Sequence, residues 1–89
     1  MPSKWIVLND DEIALLDKQD PATAKDGGFQ GFMVDLQQRL RRGTQELKLT
    51  DGDIERIAQY AFDYKQGGWE DRLKAIFGRH LGPNLGRDV

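Results

Sequence analysis

The chain has 89 residues and a mass of 10.1 kDa, which suits one small domain. Its 38% of hydrophobic residues can fill one core, but the longest apolar run is four residues, far from the ~18 of a membrane helix. The absence of cysteine excludes disulfides, thiolate metal sites and cysteine nucleophiles, and a net charge of −2 gives no strong attraction to nucleic acid. We expect a single cytoplasmic domain over residues 1–89.

The first predicted helix covers residues 10–20 and follows an extended N-terminal segment, residues 1–8. Asn9 can accept a hydrogen bond from the first turn, and Glu12 completes a capping box with it. Pro21 ends this helix, because proline disfavours a helical conformation in the residue before it.

The second predicted helix covers residues 28–42, where apolar side chains recur at helical spacing after a glycine pair. Val34 lies almost opposite this apolar stripe on a helical wheel, so we expect its side chain at the surface. Arg39 and Arg42 lie near the end of the helix, where the helix dipole favours cations. They form either a solvated helix end or part of a partner-binding patch.

The same helix-opening pattern returns 41 residues later (50 minus 9), with Thr50 as the cap and Asp53 in the capping box. It predicts a third helix over residues 51–65, and a second glycine pair introduces a fourth helix over residues 69–81. An internal duplication and a coincidence explain this repeat equally well.

These elements predict an all-α fold, a small bundle of four or five helices arranged as two helical hairpins. Residues 5–8 and 47–49 have extended character, but a ribbon of two strands is marginal alone, so no sheet is predicted. Residues 83–89 lack periodicity and are predicted to form a flexible tail.

No catalytic pattern is found in the sequence. His80 is the only histidine and continues the apolar stripe of the fourth helix, which favours a structural role. Asp51 opens a segment that resembles a calcium loop, but Arg56 and Phe62 occupy the positions where that loop needs glycine and glutamate. We therefore predict a protein that is not an enzyme and has no catalytic residue, metal site or cofactor.

Two kinds of partner are considered for the third and fourth helices. The pair resembles a helix-turn-helix DNA reader, but Glu70 and Asp71 in the first turn of the fourth helix would repel phosphates. On a helical wheel Tyr60 lies roughly 110° and Tyr64 roughly 70° from the centre of the inward stripe of the third helix. Leu15 lies almost opposite Ile13 on the first helix, as Val34 lies opposite its own stripe. Partly exposed tyrosines suit a protein interface, and they suit the cover of a thin core equally well.

Five segments of the chain together resemble a known protein family. They are residues 8–16, 19–23, 26–30, 60–64 and 67–79, with the sequences LNDDEIALL, QDPAT, DGGFQ, YAFDY and GGWEDRLKAIFGR. The pattern is similar to the QseM-like antiactivators, small helical proteins encoded on proteobacterial integrative and conjugative elements. The resemblance covers nearly the full chain.

The resemblance implies a non-enzymatic antiactivator that binds a LuxR-type transcriptional activator, TraR, and an excision activator, FseA. Such a protein represses quorum sensing and element transfer by stoichiometric binding, and we expect it to act as a monomer without contact with membranes. A small helical DNA-binding regulator and a mobile-element inhibitor of a host nuclease complex are the alternatives. The candidate partner-binding residues come from the sequence pattern alone: Leu15, Val34, Arg39, Arg42, Tyr60 and Tyr64.

Overall fold

Each of two short strands is followed by three helical segments in the computed structural model, which describes residues 3–65 and 67–87. Helices take 63% of the described residues. In chain order the elements are β1 (Ser3–Val7), α1 (Asp10–Leu16), a 3-10 helix (Pro21–Asp26), α2 (Gly28–Arg39), β2 (Glu46–Thr50), α3 (Asp51–Ala58), a π-helical turn (Gln59–Asp63) and α4 (Gly67–Leu81).

β1 and β2 pair as an antiparallel ribbon, with Ser3 opposite Thr50. The prediction of an all-α fold is therefore wrong. The ribbon buries Ile6, Leu47 and Leu49 in the common core, and none of the three is more than 4% exposed. This burial stabilises a pair of strands that would be marginal in isolation. Each strand has only five residues, too few for a strong alternating pattern in the sequence.

The helices do not form two successive hairpins, so this part of the fold prediction is also wrong. α1 packs against α4, which is distant in sequence, and α2 packs against the 3-10 helix. α1 has only seven residues and ends at Leu16. A helix of this length is about 10 Å long, too short to pair along the whole of α2. Gln37 of α2 donates instead to the Leu16 and Gln19 carbonyl groups, at 2.9 and 2.7 Å.

Both predicted capping boxes are confirmed. The Asn9 side chain accepts from the Glu12 N–H at 2.8 Å, and Glu12 accepts from the Asn9 N–H at 2.9 Å. Thr50 and Asp53 exchange the corresponding hydrogen bonds at 3.1 and 2.9 Å. The starts of α1 and α3 therefore lie where the sequence places them, because the signal is contained within four consecutive residues.

Residues 83–87 pack against the domain, although the sequence predicts a flexible tail from residue 83 onward. Gly82 turns the chain after α4 with a φ of +89°, and Leu85 then enters the core with 0% exposure. Arg87 donates two hydrogen bonds of 2.8 Å to Asp63. One buried leucine anchors the segment, and a single residue has no periodicity that could predict this. Residues 88 and 89 of the predicted tail lie outside the described part of the chain.

One cluster of buried side chains connects the ribbon with all four α-helices. Of the helices that the structure describes, none combines the length and the apolar character needed to span a bilayer. The buried members of the cluster are Ile6, Leu8, Leu16, Phe29, Phe32, Met33, Leu36, Leu40, Leu47, Leu49, Ile57, Ala61, Leu73, Ile76, Phe77 and Leu85.

Candidate functional site

Four aromatic rings meet where the starts of α2 and α4 approach the π-helical turn. Phe29 and Trp69 stack with their ring centroids 4.5 Å apart and their planes at 14°. Tyr60 lies edge-on to Phe29 and Trp69, at 5.7 and 5.9 Å. Tyr64 contacts Tyr60 at 5.3 Å and Trp69 at 5.8 Å. We call these four residues, Phe29, Tyr60, Tyr64 and Trp69, the aromatic face.

The aromatic face is anchored in the core at one end and open to solvent at the other. Phe29 is 3% exposed and belongs to the core, whereas Tyr60 and Trp69 are half-buried and pack against it. Tyr64 is 55% exposed. Stacked and edge-on ring pairs add about 0.5–1.5 kcal/mol each beyond the burial of their surface. The four rings therefore stabilise one another's positions within the domain.

The two tyrosines of the aromatic face lie in the π-helical turn and at its end. This turn continues α3 directly, and its wider turns rotate the following side chains relative to an α-helix. Tyr60 stacks on Tyr64 with an angle of 25° between the ring planes. Lys65 follows with a φ of +54°, a left-handed conformation that ends the helical segment.

Two of the six predicted partner-binding residues, Tyr60 and Tyr64, belong to the aromatic face. Leu15 is half-buried and packs against the core, and Arg72 connects its backbone with Phe29 of the aromatic face. The Leu15 carbonyl accepts a hydrogen bond from Arg72 at 3.3 Å, and the Arg72 guanidinium lies 5.9 Å from the Phe29 ring centroid. The role of these residues in binding stays a prediction.

Val34 is 2% exposed, so the expectation that it lies at the surface is wrong. α2 is covered on a second side by the segment that contains the 3-10 helix. A Cβ atom on Gly31 would lie 3.3 Å from the Ala24 carbonyl oxygen of that segment, and Gln37 donates to the Leu16 carbonyl. Val34 lies between Gly31 and Gln37 at spacings of three residues, so it faces the same covering segment.

Arg39 and Arg42, the two predicted cationic candidates, both bind carboxylates of the chain. Arg39 is half-buried and donates to both carboxylate oxygens of Asp53, at 2.7 and 3.0 Å. Arg42 is exposed and binds Asp17 in the same way, at 2.7 and 3.0 Å. The Asp53 and Asp17 hydrogen bonds raise the pKa values of Arg39 and Arg42. Both guanidinium groups therefore connect elements of the fold.

Arg72, which sequence reasoning did not single out, lies beside the aromatic face. It is half-buried on α4, three residues after Trp69. Its Nη1 donates to Gln19 Oε1 at 2.9 Å, while its Nε is buried without an acceptor. The sequence contains one signal for it, the spacing of three residues from Trp69, which puts the two side chains on one side of a helix.

A second polar cluster joins α1 to the end of α4. Glu12 is 4% exposed, and its carboxylate accepts from Arg79 at 2.9 and 3.2 Å. His80 Nε2 lies 3.0 Å from the same carboxylate, so the only histidine contacts a buried acid between helices. Burial raises the pKa of Glu12, but the contacts with Arg79, Asn9 and His80 outweigh burial and lower this pKa from 4.5 to about 2.

A cleft of about 360 Å³ lies between α3 and the segment after α4, and Ile54, Glu55 and Arg87 are among the residues that line it. Across residues 3–65 and 67–87, no three His, Cys, Asp or Glu side chains lie close enough together to hold a metal ion.

Comparison of the chain with protein-family models, with curated proteins and with solved structures found no match.

Proposed function

We propose that this protein is a non-enzymatic antiactivator that binds transcriptional activators through the aromatic face. The proposed targets are a LuxR-type activator, TraR, and an excision activator, FseA, as the resemblance to the QseM-like antiactivators implies. By binding them in the cytoplasm, the protein would repress quorum sensing and the transfer of a conjugative element. The observation that carries the proposal is the cluster of Tyr60, Tyr64 and Trp69, three ordered rings that reach the solvent.

The composition of the aromatic face favours protein binding. Tyrosine, tryptophan and arginine are the residues that most often dominate the energy of protein interfaces. Here Tyr64 is 55% exposed and is held by contacts with Tyr60 and Trp69. A partner that covers it gains apolar contact area and loses little side-chain entropy, because the ring is already ordered.

Inhibition by this route needs no turnover. A small domain that covers a surface of an activator prevents the activator from using that surface for as long as the complex lasts. The extent of repression then follows the concentration of the inhibitor and its affinity for the activator. Where both concentrations lie well above the dissociation constant, we therefore expect repression to saturate at equal amounts of the two proteins.

Co-purification with each activator tests the proposal. Tagged protein is expressed with TraR or FseA, and binding is compared for the wild type, Tyr64→Ala and Trp5→Ala. Trp5 is a matched control, because it is an aromatic residue with 47% exposure that lies on β1. We expect Tyr64→Ala to weaken binding about 30-fold, the loss of one interface hot spot of about 2 kcal/mol.

The two variants should otherwise behave alike. Both change an exposed side chain, so we expect each melting curve to remain close to that of the wild type. Trp5→Ala should bind both activators normally. Failure of the folded wild type to bind either activator, or equal binding by Tyr64→Ala, would count against the proposal.

A further inference from the structure

Carboxylates bind most of the arginines that contact other polar side chains in the described chain. Each of these arginines uses two nitrogen atoms, with N···O distances of 2.7–3.2 Å. Such paired hydrogen bonds between ions are short and directional. The pairs are Arg39 with Asp53, Arg42 with Asp17, Arg79 with Glu12, and Arg87 with Asp63.

Arg72 has no carboxylate partner within residues 3–65 and 67–87. Its Nη1 donates to Gln19 Oε1 at 2.9 Å and its Nη2 to the Leu15 carbonyl at 3.3 Å, so both acceptors are neutral. Burial lowers the pKa of Arg72, whereas hydrogen bonds to carboxylates raise the pKa values of the four paired arginines. The charge of Arg72 is therefore partly removed from water without a compensating anion.

The Arg72 guanidinium keeps hydrogens that can bind an anion. Each terminal nitrogen carries two hydrogens, and the bonds to Gln19 and Leu15 use one on each. A second hydrogen on Nη1 and another on Nη2 are left. Two N–H groups are therefore available to an anionic acceptor, one on each terminal nitrogen of the guanidinium.

The position of Arg72 connects it to the aromatic face. Trp69 lies one turn earlier on the same side of α4, and the Arg72 guanidinium carbon is 5.9 Å from the Phe29 ring centroid. A segment that covers Trp69 therefore passes within reach of the guanidinium. The same partner segment can therefore contact both the Trp69 ring and the Arg72 guanidinium.

We infer that Arg72 binds a carboxylate of the partner, so that the segment docking on the aromatic face carries an Asp or Glu beside an apolar or aromatic side chain. The inference rests on the proposed function, because it assigns the partner chemistry at the same face. The alternative is that Arg72 only braces α4 against the segment after α1. That role accounts for the bonds to Gln19 and Leu15, but it leaves the charge uncompensated.

Selection from a displayed library of random decapeptides tests this inference without an activator. The library is selected in parallel against the wild type, Arg72→Gln and Arg41→Gln. Arg41 is the matched control, because its guanidinium also lies over an aromatic ring, at 4.8 Å from Trp5. We expect the wild type and Arg41→Gln to enrich peptides with an acidic residue next to an apolar one, and Arg72→Gln to lose the acidic preference.

Synthetic peptides then measure the contribution of the carboxylate. For an enriched sequence, replacing its Asp or Glu by Asn or Gln should weaken binding to the wild type about 10-fold. The same replacement should change binding to Arg72→Gln by less than about 2-fold, because the two changes remove the same contact. Arg72→Lys keeps the charge without the planar fork and should retain part of the acidic preference. Melting curves of the variants establish that each one is folded.

The outcomes separate this inference from the proposed function. Enrichment without acidic preference, no enrichment at all, or an unchanged preference in Arg72→Gln would overturn the inference. If TraR or FseA binding depends on Tyr64 but not on Arg72, the proposed function stands. Only the inferred contact between Arg72 and a partner carboxylate is then rejected. Selection of acidic peptides together with failure to bind either activator would support the inference and reject the proposed targets.

Discussion

Arg72 and Arg79 lie seven residues apart on the same side of α4, yet their surroundings differ. The Arg79 side chain is 56% exposed, and it donates to the buried Glu12 carboxylate and to the Val7 carbonyl. Arg72 is half-buried and donates only to neutral acceptors among the described residues. The more desolvated of the two charges therefore has the weaker compensation.

This difference distinguishes two regions of the molecule. Around Arg79, an anion of the same chain binds the cation, which is typical of contacts that hold helices together. Around Arg72, aromatic rings pack against one another, and no carboxylate among residues 3–65 and 67–87 binds the cation. We propose that this combination marks the partner-binding side, because a desolvated charge is stabilised most when a partner supplies the opposite charge.

The largest expected effect is the loss of the Glu12 carboxylate in the Arg79 region. Glu12→Ala removes the acceptor shared by Asn9, Arg79 and His80, and we expect it to lower the free energy of unfolding by about 3 kcal/mol. Urea unfolding measures this loss. Glu70→Ala is the control, because Glu70 is 40% exposed and binds only Lys74, so its loss should stay below about 0.5 kcal/mol. Equal costs for the two variants would contradict the prediction.

Acid should weaken the same region by a smaller amount. The pKa of Glu12 is about 2 in the folded protein, against 4.5 for an ordinary glutamate in the unfolded chain. As the pH falls, Glu12 is therefore protonated in the unfolded chain before it is protonated in the folded protein. The stabilisation is complete above about pH 4.5 and is lost as the pH approaches 2. Because Arg79 is largely exposed, solvent screening reduces the effect, and we expect a loss of about 1–2 kcal/mol between pH 7 and pH 3.

Urea unfolding at a series of pH values measures this dependence. The comparison is with Glu12→Gln, which cannot titrate at this position. The difference in stability between the wild type and Glu12→Gln should shrink as the pH falls. If the stability difference between the two proteins stayed constant across the acid range, the pKa of Glu12 would be the same in the folded and the unfolded state.

The smallest effect is expected at Arg72. Arg72→Met removes two hydrogen bonds to neutral groups together with a partly desolvated charge, so the two contributions oppose each other. We expect the free energy of unfolding to change by less than about 1 kcal/mol, as measured by urea unfolding. A loss near that of Glu12→Ala would show that Arg72 is a structural brace, and the comparison with Arg79 would fail.

The sequence predicts those features whose cause is local. The capping boxes at Asn9 and Thr50 are contained in four residues each, and both are present in the structure. The ribbon depends on the pairing of Ile6 with Leu47, two positions that no local pattern connects. The inward position of Leu85 likewise depends on the assembled core.

The residues of the candidate site also fall into those that local spacing predicts and those that depend on the whole fold. Tyr60 and Tyr64 could be identified from their positions on a helical wheel, because helical spacing is a local property. Helical spacing does not reveal the π-helical turn around them or their contact with Trp69, which comes from another helix. Arg72 could not be identified, since its lack of a carboxylate partner is a property of the whole fold. Val34 was misplaced because the second cover of α2 comes from another segment.

The two capping boxes share a feature that affects how the protein unfolds. One oxygen of Glu12, Oε1, accepts from the Asn9 N–H at the start of α1 and from Arg79 at the end of α4. Oδ2 of Asp53 likewise serves the start of α3 and Arg39 of α2. Fraying of either helix start therefore also breaks a contact between helices, so partial opening is costly. Both helix starts should melt with the core as one cooperative unit.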